Sequence, residues 1–217
     1  IIPPYLREGD RIEIITPASH IGEDVVHMAV QRLERSGFRV TLGQHVFTRS
    51  GPFAGSDLER LLDIQRATDD PEVKAVLCSR GGYGMSRIVD RIDFSVLKRH
   101  PKWFVGYSDI TSLHMWLNTV GGIASLHAEM PLNYSNPEYL PSCYDTMLGA
   151  LRGEAEPVRW STPAEASLEV TGRLTGGNIS LLYSLNGTPA QPDTEGAILF
   201  IEEIGEHFYH LDRMLVS

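Results

Sequence analysis

The alternation of strand-like and helix-like patterns constrains the fold of this chain most strongly. The segment "VKAVLCS" (73–79) is a continuous apolar run, which is typical of a strand buried on both faces of a parallel sheet. Helical stripes precede it at 23–37 and at 55–70, and the second stripe opens with the capping-box pair Ser56 and Glu59. Because parallel strands are joined by helical crossovers, this order predicts an α/β fold with helices on both faces of the sheet.

The pattern continues along the chain and then weakens. Residues 11–19 are predicted to be a strand that runs into a loop, and the other predicted strands are 38–42, 102–107, 122–127 and 197–203. The other predicted helices are 85–92, 110–120, 144–153 and 179–187, followed by an amphipathic stretch at 208–217. We therefore expect a flavodoxin- or Rossmann-like parallel-sheet domain at 1–153. Residues 154–167, with two prolines and little periodicity, are expected to form a linker. Residues 168–217 are expected to begin a second, mixed α+β domain that is incomplete, since about fifty residues make a marginal core.

Charge and composition exclude several classes of protein. The formal net charge is −9, and no basic cluster offsets it, which argues against nucleic acid as the main partner. No apolar run is long enough to cross a bilayer, and the start of the chain lacks the pattern of a secretory signal. The two cysteines, Cys78 and Cys143, have neither disulfide-framework nor metal-binding spacing. We therefore expect a cytoplasmic protein without a bound metal.

A glycine-rich loop follows the apolar strand and is the first candidate for a binding site. Residues 80–84 read Arg-Gly-Gly-Tyr-Gly, and three glycines allow a sharp turn that points backbone N–H groups outward. Such a loop can hold a phosphate or an oxyanion at the start of the next helix. It matches neither the P-loop nor the dinucleotide fingerprint, so a tight turn that binds no ligand is an equal alternative.

A serine at the next strand-to-helix junction is the second candidate. In Gly106-Tyr107-Ser108-Asp109, a sharp turn would present the Ser108 hydroxyl above the sheet and aim the following N–H at an oxyanion. The usual G-x-S-x-G pattern is not met, because Ile110 stands in place of the second glycine. Asp109 is an equally natural helix N-cap, and Ser108 would then be an ordinary loop residue. The residues alone leave both interpretations open.

A nucleophilic serine needs a base, and the base needs a carboxylate to orient it. The predicted strand at 197–203 ends in Glu202 and Glu203, which is unfavourable unless these carboxylates face a polar site or solvent. Eight histidines occur, and none has a setting that marks it as the base. His127, at the end of a predicted strand, is the one we expect to approach the site.

Six ordered blocks give a resemblance that covers the whole chain. The blocks are "GDRIEIITPAS" (9–19), "FAGSDLERLLDI" (53–64), "AVLCSRGGYGMSRIVDRIDF" (75–94), "FVGYSDITSLH" (104–114), "TGGNISLL" (175–182) and "ILFIEEIGEHFYHLDRML" (198–215). Together they resemble the LD-carboxypeptidase family of serine peptidases, which includes muramoyl-tetrapeptide carboxypeptidases and microcin C immunity peptidases. One departure is "HAEM" (127–130), where relatives often have Gly-Pro before the methionine, and it affects the expected shape of that loop.

The resemblance implies a Ser-Glu-His triad. Its nucleophile maps to Ser108 and the carboxylate that orients the base to Glu202. The backbone N–H groups of Asp109 and Gly82 are the expected oxyanion hole. The family's histidine lies in a later block than this sequence reaches, so we expect a polypeptide that ends at Ser217 to be inactive.

The resemblance also implies a substrate class. The expected reaction is hydrolysis of the amide between an L-centre and a terminal D-amino acid, the D-Ala of a murein tetrapeptide, during cytoplasmic cell-wall recycling. We expect neither a metal nor a cofactor. We expect the protein to form a homodimer. We expect Arg80, Gly81, Tyr83 and Asn178 to contact the substrate.

Three other functions stay open. A peptidase of the same family could cleave a peptidyl- or aminoacyl-nucleotide amide instead. A non-catalytic module could bind an anion with the glycine loop and the Ser108 turn. A nucleotide-binding Rossmann-like domain is the third, although no acidic residue follows residues 80–84 at the expected spacing on a strand.

Overall fold

The structure is a computed structural model that describes residues 1–136, 140–157 and 169–217. Of the predicted linker at 154–167, residues 158–167 lie outside the described residues. Five strands form the main sheet: β1 (Arg11–Ile15), β2 (Arg39–Leu42), β3 (Val73–Cys78), β4 (Trp103–Gly106) and β5 (Leu126–His127). All pair in parallel in the order β2-β1-β3-β4-β5. The predicted parallel α/β architecture is confirmed, with the strand order of flavodoxin-like folds.

Helices cover both faces of this sheet, and they are α1 (Glu23–Arg35), α2 (Asp57–Asp69), α3 (Thr111–Met115) and α4 (Pro141–Arg152). Alternate residues of β3 explain the two layers, since Ala75 and Leu77 pack into one core cluster and Val76 and Cys78 into the other. The first cluster also holds the apolar stripes of α1 and α4, and the second holds those of α2 and α3. This two-sided burial explains why the strand at 73–79 is continuously apolar.

The capping box predicted at the start of α2 is present. The Ser56 Oγ accepts a hydrogen bond from the Glu59 backbone N–H at 3.3 Å, and the Glu59 carboxylate accepts one from the Ser56 N–H at 2.7 Å. These two bonds satisfy N–H groups that the first helical turn leaves without partners. The cap therefore fixes where α2 begins.

Several boundaries differ from the sequence prediction. The predicted helix at 85–92 is two 3-10 turns, Met85–Arg87 and Val89–Arg91, because Ile88 between them leaves the helical region of φ and ψ. The predicted strand at 122–127 is only β5, whereas the strand running into a loop at 11–19 is as predicted, since β1 ends at Ile15. After α3 the helix widens into a π-type turn at Trp116–Val120. These are errors in length and in helix type, and the order of the elements is as predicted.

The second unit contains a βαβ arrangement. Strands β6 (Arg173–Asn178) and β7 (Ala197–Glu202) pair in parallel and are joined by α5 (Ile179–Ser184). A last helix, α6 (Phe208–Val216), follows. No helix in the described ranges combines the length and the apolar character needed to cross a bilayer.

The second unit contacts the first at the beginning of α3. Gly177 has φ of +147°, and a Cβ there would lie 2.6 Å from the Thr111 Oγ1. The backbone N–H of Asn178 donates a hydrogen bond to the same Thr111 hydroxyl at 3.0 Å. The glycine is required because β6 passes directly against α3. This contact places the carboxyl end of β6 beside the turn that holds Ser108.

Candidate active site

The candidate site lies at the carboxyl ends of β1, β3 and β4. Strand order reverses between β1 and β3, which is where ligands bind in open α/β sheets. The loops after these strands are joined directly. The Ser19 N–H donates to the Gly81 carbonyl at 3.3 Å, and the Ser19 Oγ accepts from the Tyr83 N–H at 3.3 Å. The glycine loop is thus held by the loop that follows β1.

Ser108 adopts a strained backbone conformation directly after β4. Its φ is +62°, and it is the only non-glycine residue with positive φ in the described part of the chain. A left-handed conformation costs a residue with a side chain about 1–3 kcal/mol and persists where the surroundings enforce it. Such strain at a strand-to-helix turn is the geometry that exposes a nucleophilic hydroxyl. The structure therefore departs from an ordinary loop at this serine.

The alternative in which Asp109 serves as the helix N-cap is wrong. Tyr107 and Ile110 occupy the cap positions of the 3-10 turn and of α3, and no side chain caps either. The Asp109 Oδ2 instead accepts a hydrogen bond from the Met85 N–H at 2.8 Å. Burial of this fully covered carboxyl raises its pKa. The Asp109 side chain thus ties the Ser108 turn to the glycine loop.

The glycine loop approaches Ser108 closely. A Cβ at Gly81 would lie 3.2 Å from the Ser108 Oγ and 3.3 Å from the Asp109 backbone nitrogen. Gly82, with φ of +105°, faces Ser19, because a Cβ there would lie 2.2 Å from the Ser19 Oγ. Only a loop without side chains at these positions can approach both serines. Of the two glycines, Gly81 is the one against the Ser108 side chain.

The other two loop residues expected to contact substrate have different settings. The Arg80 guanidinium donates a hydrogen bond to the His20 carbonyl at 3.0 Å. The Tyr83 side chain is exposed, with its ring 6.0 Å from that of Phe53. Arg80 is thus engaged within the protein, whereas Tyr83 is open to solvent. Contact of either with a substrate stays a prediction.

Glu202 lies beside the Ser108 turn. It is the last residue of β7 and pairs with Asn178 at the end of β6. Burial raises the pKa of its carboxyl, and the nearby Asn178 side chain and Ser108 backbone N–H act in the opposite direction. The Glu202 Oε1 is buried and has no hydrogen-bond partner among the described residues. A half-buried carboxylate with a free oxygen beside the candidate nucleophile is suited to accept another hydrogen bond.

The neighbouring Glu203 is held by the protein itself. Its carboxylate accepts hydrogen bonds from the Asn178 side chain at 3.1 Å and from the Ser180 N–H at 3.2 Å. The Ser180 hydroxyl also donates to it, as does the Ile204 N–H at 2.9 Å, and these donors, the Ser180 hydroxyl first among them, hold the pKa of Glu203 below its usual value despite its burial. The two adjacent glutamates thus differ, because Glu203 is satisfied while Glu202 has an oxygen available.

Two histidines lie near the site, His114 buried and His127 partly buried. The His114 Nε2 lies 2.8 Å from the Gly106 carbonyl, and burial lowers the pKa of its ring to about 4. The His127 ring lies 5.0 Å from that of Phe200 and 6.2 Å from that of His114, and burial also lowers its pKa. Within the part of the chain that the structure describes, no histidine forms a hydrogen bond with Ser108 or Glu202. The suggestion that His127 approaches the serine as a base gains no support from this geometry.

Sequence reasoning missed two residues of this region. Arg60, on α2, is fully buried and donates a hydrogen bond to the Gly84 carbonyl of the glycine loop at 2.8 Å. Ser19 supports the same loop from the end of β1. The only available signal was the helical spacing that places Arg60 on the same side of α2 as Ile64 and Ala67, and that side also holds polar residues. No group of three or more histidine, cysteine, aspartate or glutamate side chains suited to a metal ion occurs in residues 1–136, 140–157 and 169–217.

Comparison with known proteins identifies the family. The LD-carboxypeptidase N-terminal domain matches residues 12–128, and the C-terminal domain of the same family matches residues 171–217. The chain is 39% identical to a probable murein peptide carboxypeptidase of Bacillus subtilis, over 98% of this chain and 68% of that protein. It is 31% identical to the murein tetrapeptide carboxypeptidase of Pseudomonas aeruginosa, over 94% of this chain and 70% of that protein.

Solved structures agree with these sequence relationships. A muramoyltetrapeptide carboxypeptidase from Oxalobacter formigenes superposes with a TM-score of 0.84 and 33% identity, over 95% of this chain and 70% of that one. An MccF-like protein from Bacillus anthracis superposes with a TM-score of 0.85 and 28% identity, over 100% of this chain and 75% of that one. The fold, the ordered sequence blocks and these relatives lead to one conclusion: the chain belongs to the LD-carboxypeptidase family of peptidases.

Proposed function

We propose that the protein is a serine carboxypeptidase that releases the terminal D-amino acid of a murein tetrapeptide. The observation that carries this proposal is the Ser108 turn, where the positive φ of the serine, the close approach of Gly81 and the adjacent Glu202 carboxylate coincide. The relatives named as murein peptide and tetrapeptide carboxypeptidases support the substrate class.

In the proposed reaction, Ser108 is the nucleophile. Its Oγ attacks the carbonyl carbon of the last peptide bond, and its proton passes to a histidine base oriented by Glu202. The imidazolium returns that proton to the leaving nitrogen, and the amide bond breaks to release D-Ala. Water, deprotonated by the same base, then hydrolyses the ester on Ser108 and restores the hydroxyl.

Backbone N–H groups stabilise the negative charge that forms on the carbonyl oxygen. The Asp109 N–H belongs to the first helical turn after Ser108, where N–H groups lack intrahelical partners. The glycine loop supplies the second donor, for which Gly82 is our choice. Support comes from the position of the neighbouring Gly81, where an added Cβ would meet the Ser108 side chain and the Asp109 nitrogen. Removing one such donor typically costs about 10²–10³-fold in turnover.

The Glu202 carboxylate is proposed to orient the base. Support comes from its buried, unpartnered Oε1 and from the contrast with Glu203, whose carboxylate is already occupied. We expect a polypeptide of residues 1–217 to be inactive, since none of the histidines in the described ranges reaches Ser108 or Glu202. Release of D-Ala by that polypeptide would contradict this assignment.

Further properties belong to the proposal. The relatives' names contain murein peptide and murein tetrapeptide, which supports a peptide substrate. A role in recycling and a cytoplasmic location are proposed from the family resemblance. A homodimer is proposed from the family resemblance alone. The division into a domain at 1–153, a linker and a second domain also stays a prediction, and Asn178 is proposed as a substrate contact because its side chain lies beside Glu202.

A peptidyl- or aminoacyl-nucleotide is the alternative substrate. The likeness to the MccF-like protein of Bacillus anthracis favours it, since MccF structures hold aspartyl sulfamoyl adenosine and glutamyl sulfamoyl guanosine. The two substrates differ in the group that leaves from the scissile bond. Because the released products therefore differ, the activity of one purified enzyme can be measured separately on each substrate.

The experiment is a direct competition of substrates. The protein expressed from its complete gene is assayed for D-Ala release from a murein tetrapeptide and for hydrolysis of an aminoacyl sulfamoyl adenosine. The proposal expects a kcat/KM at least about tenfold higher for the tetrapeptide, which is about 1.4 kcal/mol of discrimination. Higher activity on the nucleotide would favour the alternative, and binding of either compound without turnover would favour the anion-binding module.

A further inference from the structure

The peptide unit between Gly84 and Met85 in the glycine loop forms hydrogen bonds through both its carbonyl and its N–H. The Gly84 carbonyl accepts a hydrogen bond from the Arg60 Nη1 at 2.8 Å. The N–H of the same peptide, which belongs to Met85, donates to the Asp109 Oδ2 at 2.8 Å. A peptide unit is planar, so fixing both its carbonyl and its N–H fixes its position and its orientation.

Arg60 is built into this position from several sides. The same Nη1 donates to the Pro17 carbonyl at 2.7 Å, and the Nη2 donates to the Asp57 carboxylate. Gly84 has φ of +135°, and a Cβ there would lie 2.7 Å from the Arg60 Nη1. The guanidinium can therefore approach the loop only because Gly84 has no side chain.

Burying the Arg60 guanidinium and the Asp109 carboxylate costs free energy, and packing alone would not require either charge. The Arg60 side chain is 0% exposed, and Asp109 is 0% exposed. The Arg60 Nε and the Asp109 Oδ1 each have no hydrogen-bond partner among the described residues. Apolar residues of similar volume often stabilise a protein at least as well as a buried pair of charges. A role in holding the Gly84–Met85 peptide in position would explain why two charged residues occupy this buried place.

The Gly84–Met85 peptide is connected to both proposed oxyanion donors. Asp109 carries one donor on its own backbone, and Gly84 is two residues from Gly82, the proposed source of the other. Arg60 also holds the Pro17 carbonyl, two residues before the Ser19 that supports the glycine loop. One buried guanidinium thus links the loops after β1 and β3, and Asp109 links the loop after β3 to the Ser108 turn.

We propose that Arg60 and Asp109 clamp the Gly84–Met85 peptide and thereby set the distance between the two oxyanion donors, so that both side chains act as positioning residues. This inference rests on the proposed function, because it assigns the clamp to the same hydrolytic site. Charge stabilisation by backbone donors depends on their placement, and a displacement of about 1 Å can cost about 10²-fold in rate.

The test compares four variants of the protein expressed from its complete gene. Arg60→Met removes both carbonyl contacts. Arg60→Lys keeps the charge but replaces the planar fork, whose Nη1 binds the two carbonyls and whose Nη2 binds Asp57, by a single nitrogen. Asp109→Asn keeps an oxygen for the Met85 N–H and loses the charge. The matched control is Arg66→Met, on the same helix, which loses an ion pair to the buried Glu13 at 2.6 Å and does not touch the loop.

The clamp predicts a selective loss of kcat. We expect kcat for D-Ala release to fall about 10²-fold in Arg60→Met and about tenfold in Arg60→Lys, with KM changed less than about threefold. Arg66→Met should keep kcat within about twofold despite a similar loss of melting temperature. In the double variant Arg60→Met, Asp109→Asn, the second change should cost nothing further, since it removes a carboxylate already left without its cation.

Several results would overturn the clamp. These are an equal kcat loss in Arg60→Met and Arg66→Met, a change confined to KM, or fully additive effects of the Arg60 and Asp109 changes. If Arg60→Met does not fold, Arg60→Lys and Asp109→Asn decide the question, and unchanged kcat in both contradicts the proposal.

A second readout separates the clamp from the proposed substrate. A fluorophosphonate forms a bond to the serine oxygen as fluoride leaves, and its phosphoryl oxygen uses the same donors. If the unaltered protein releases no D-Ala, the proposed function fails. About 10²-fold slower labelling of Ser108 in Arg60→Met would still support the clamp, and an unchanged labelling rate would overturn it.

Discussion

The two halves of the candidate site differ in how firmly the surrounding chain holds them. Ser108 follows β4, whose four residues are all buried, and Asp109, Ile110 and Thr111 after it are fully buried as well. Glu202 ends β7, whose apolar side chains Ile198, Leu199 and Ile201 are 38–49% exposed. Within residues 1–217, the nucleophile thus follows a fully buried strand, whereas the carboxylate ends a strand with exposed apolar side chains.

This difference shows that an apolar run does not by itself determine burial. The segments 73–78 and 197–202 are both apolar strands, yet only the first is covered on both faces. Glu202 is therefore held in place by local contacts, namely the pairing with Asn178 and the contact of β6 with Thr111. Mutations in each half can test what the buried Ser108 turn and the more exposed Glu202 each contribute to the reaction and to stability.

Removing the nucleophile should have the largest effect. Ser108→Ala deletes the attacking oxygen, so we expect kcat for D-Ala release to fall by at least about 10⁴-fold, as for serine hydrolases whose nucleophile is removed. The measurement is single-turnover release of D-Ala, with circular dichroism to show that the fold is kept. A fall of less than tenfold would place the nucleophile elsewhere.

Neutralising Glu202 should cost less activity than removing Ser108. Glu202→Gln keeps the shape and loses the charge that orients the base, so we expect a fall in kcat of about 10³–10⁴-fold. Glu203→Gln is the matched neighbour, and we expect it to act mainly through stability because its carboxylate binds Ser180 and Asn178. Equal kcat losses in the two variants would remove the distinction between these carboxylates.

Glu202→Gln should also change how stability depends on pH. Burial raises the pKa of Glu202 above 4.5, so the folded protein holds this proton over a pH range in which the unfolded chain has lost it. The group therefore destabilises the fold progressively as pH rises through that range. We expect Glu202→Gln to melt higher than the unaltered protein at neutral pH and to lose this part of the pH dependence. A lower melting temperature at neutral pH would contradict the assignment of a burial cost to Glu202.

The firm half should carry a pH dependence of the opposite sign. His114 is fully buried, and its pKa lies near 4 instead of 6.5. The unfolded chain binds a proton in that interval and the folded protein does not, so stability falls as pH drops from 6.5 to 4. The expected loss is about 3 kcal/mol.

The variant that tests this is His114→Gln, which keeps a donor for the Gly106 carbonyl and cannot be protonated. Urea unfolding at several pH values should show a flatter profile between pH 4 and 6.5 for this variant. The exposed His100→Gln serves as control and should leave the profile unchanged. A flat profile in the unaltered protein would show that His114 is protonated without cost.

Relieving the strain at Ser108 should have the smallest effect. Ser108→Gly and Ser108→Ala both lack the nucleophile, but glycine adopts φ of +62° without steric cost. After the greater entropy of glycine in the unfolded chain is deducted, we expect Ser108→Gly to be more stable than Ser108→Ala by about 1 kcal/mol. That difference corresponds to about 2–4 °C in melting temperature. An equal or lower melting temperature for Ser108→Gly would show that the turn stores no strain.

The sequence predicted those features that depend on local pattern. The continuous apolar run of β3, the helical stripes and the capping box at Ser56 follow from rules that span a few residues, and the parallel sheet follows from their order. The positive φ of Ser108 could not be read from its neighbours, because a packed turn enforces it. The target of Asp109 was missed because Met85 lies 24 residues away in sequence.

Burial of charge was the feature least accessible to sequence reasoning. Arg60 looks like a solvated residue of an amphipathic helix, yet it binds the Pro17 carbonyl after β1, the Gly84 carbonyl after β3 and the Asp57 carboxylate at the start of its own helix. The two carbonyl contacts arise only when the loops after β1 and β3 meet at one end of the sheet. The family resemblance predicted roles for Ser108 and Glu202, whereas the contacts around them required the structure.

Covalent capture of the nucleophile is the most direct test of the proposed site. The protein expressed from its complete gene is treated with a fluorophosphonate, and the adduct is located by mass spectrometry of its peptides. We predict one adduct, on Ser108, which is absent in Ser108→Ala and whose formation abolishes D-Ala release in step with labelling. Labelling of a residue other than Ser108 would contradict this assignment. Continued release of D-Ala by protein whose Ser108 is fully modified would contradict it as well.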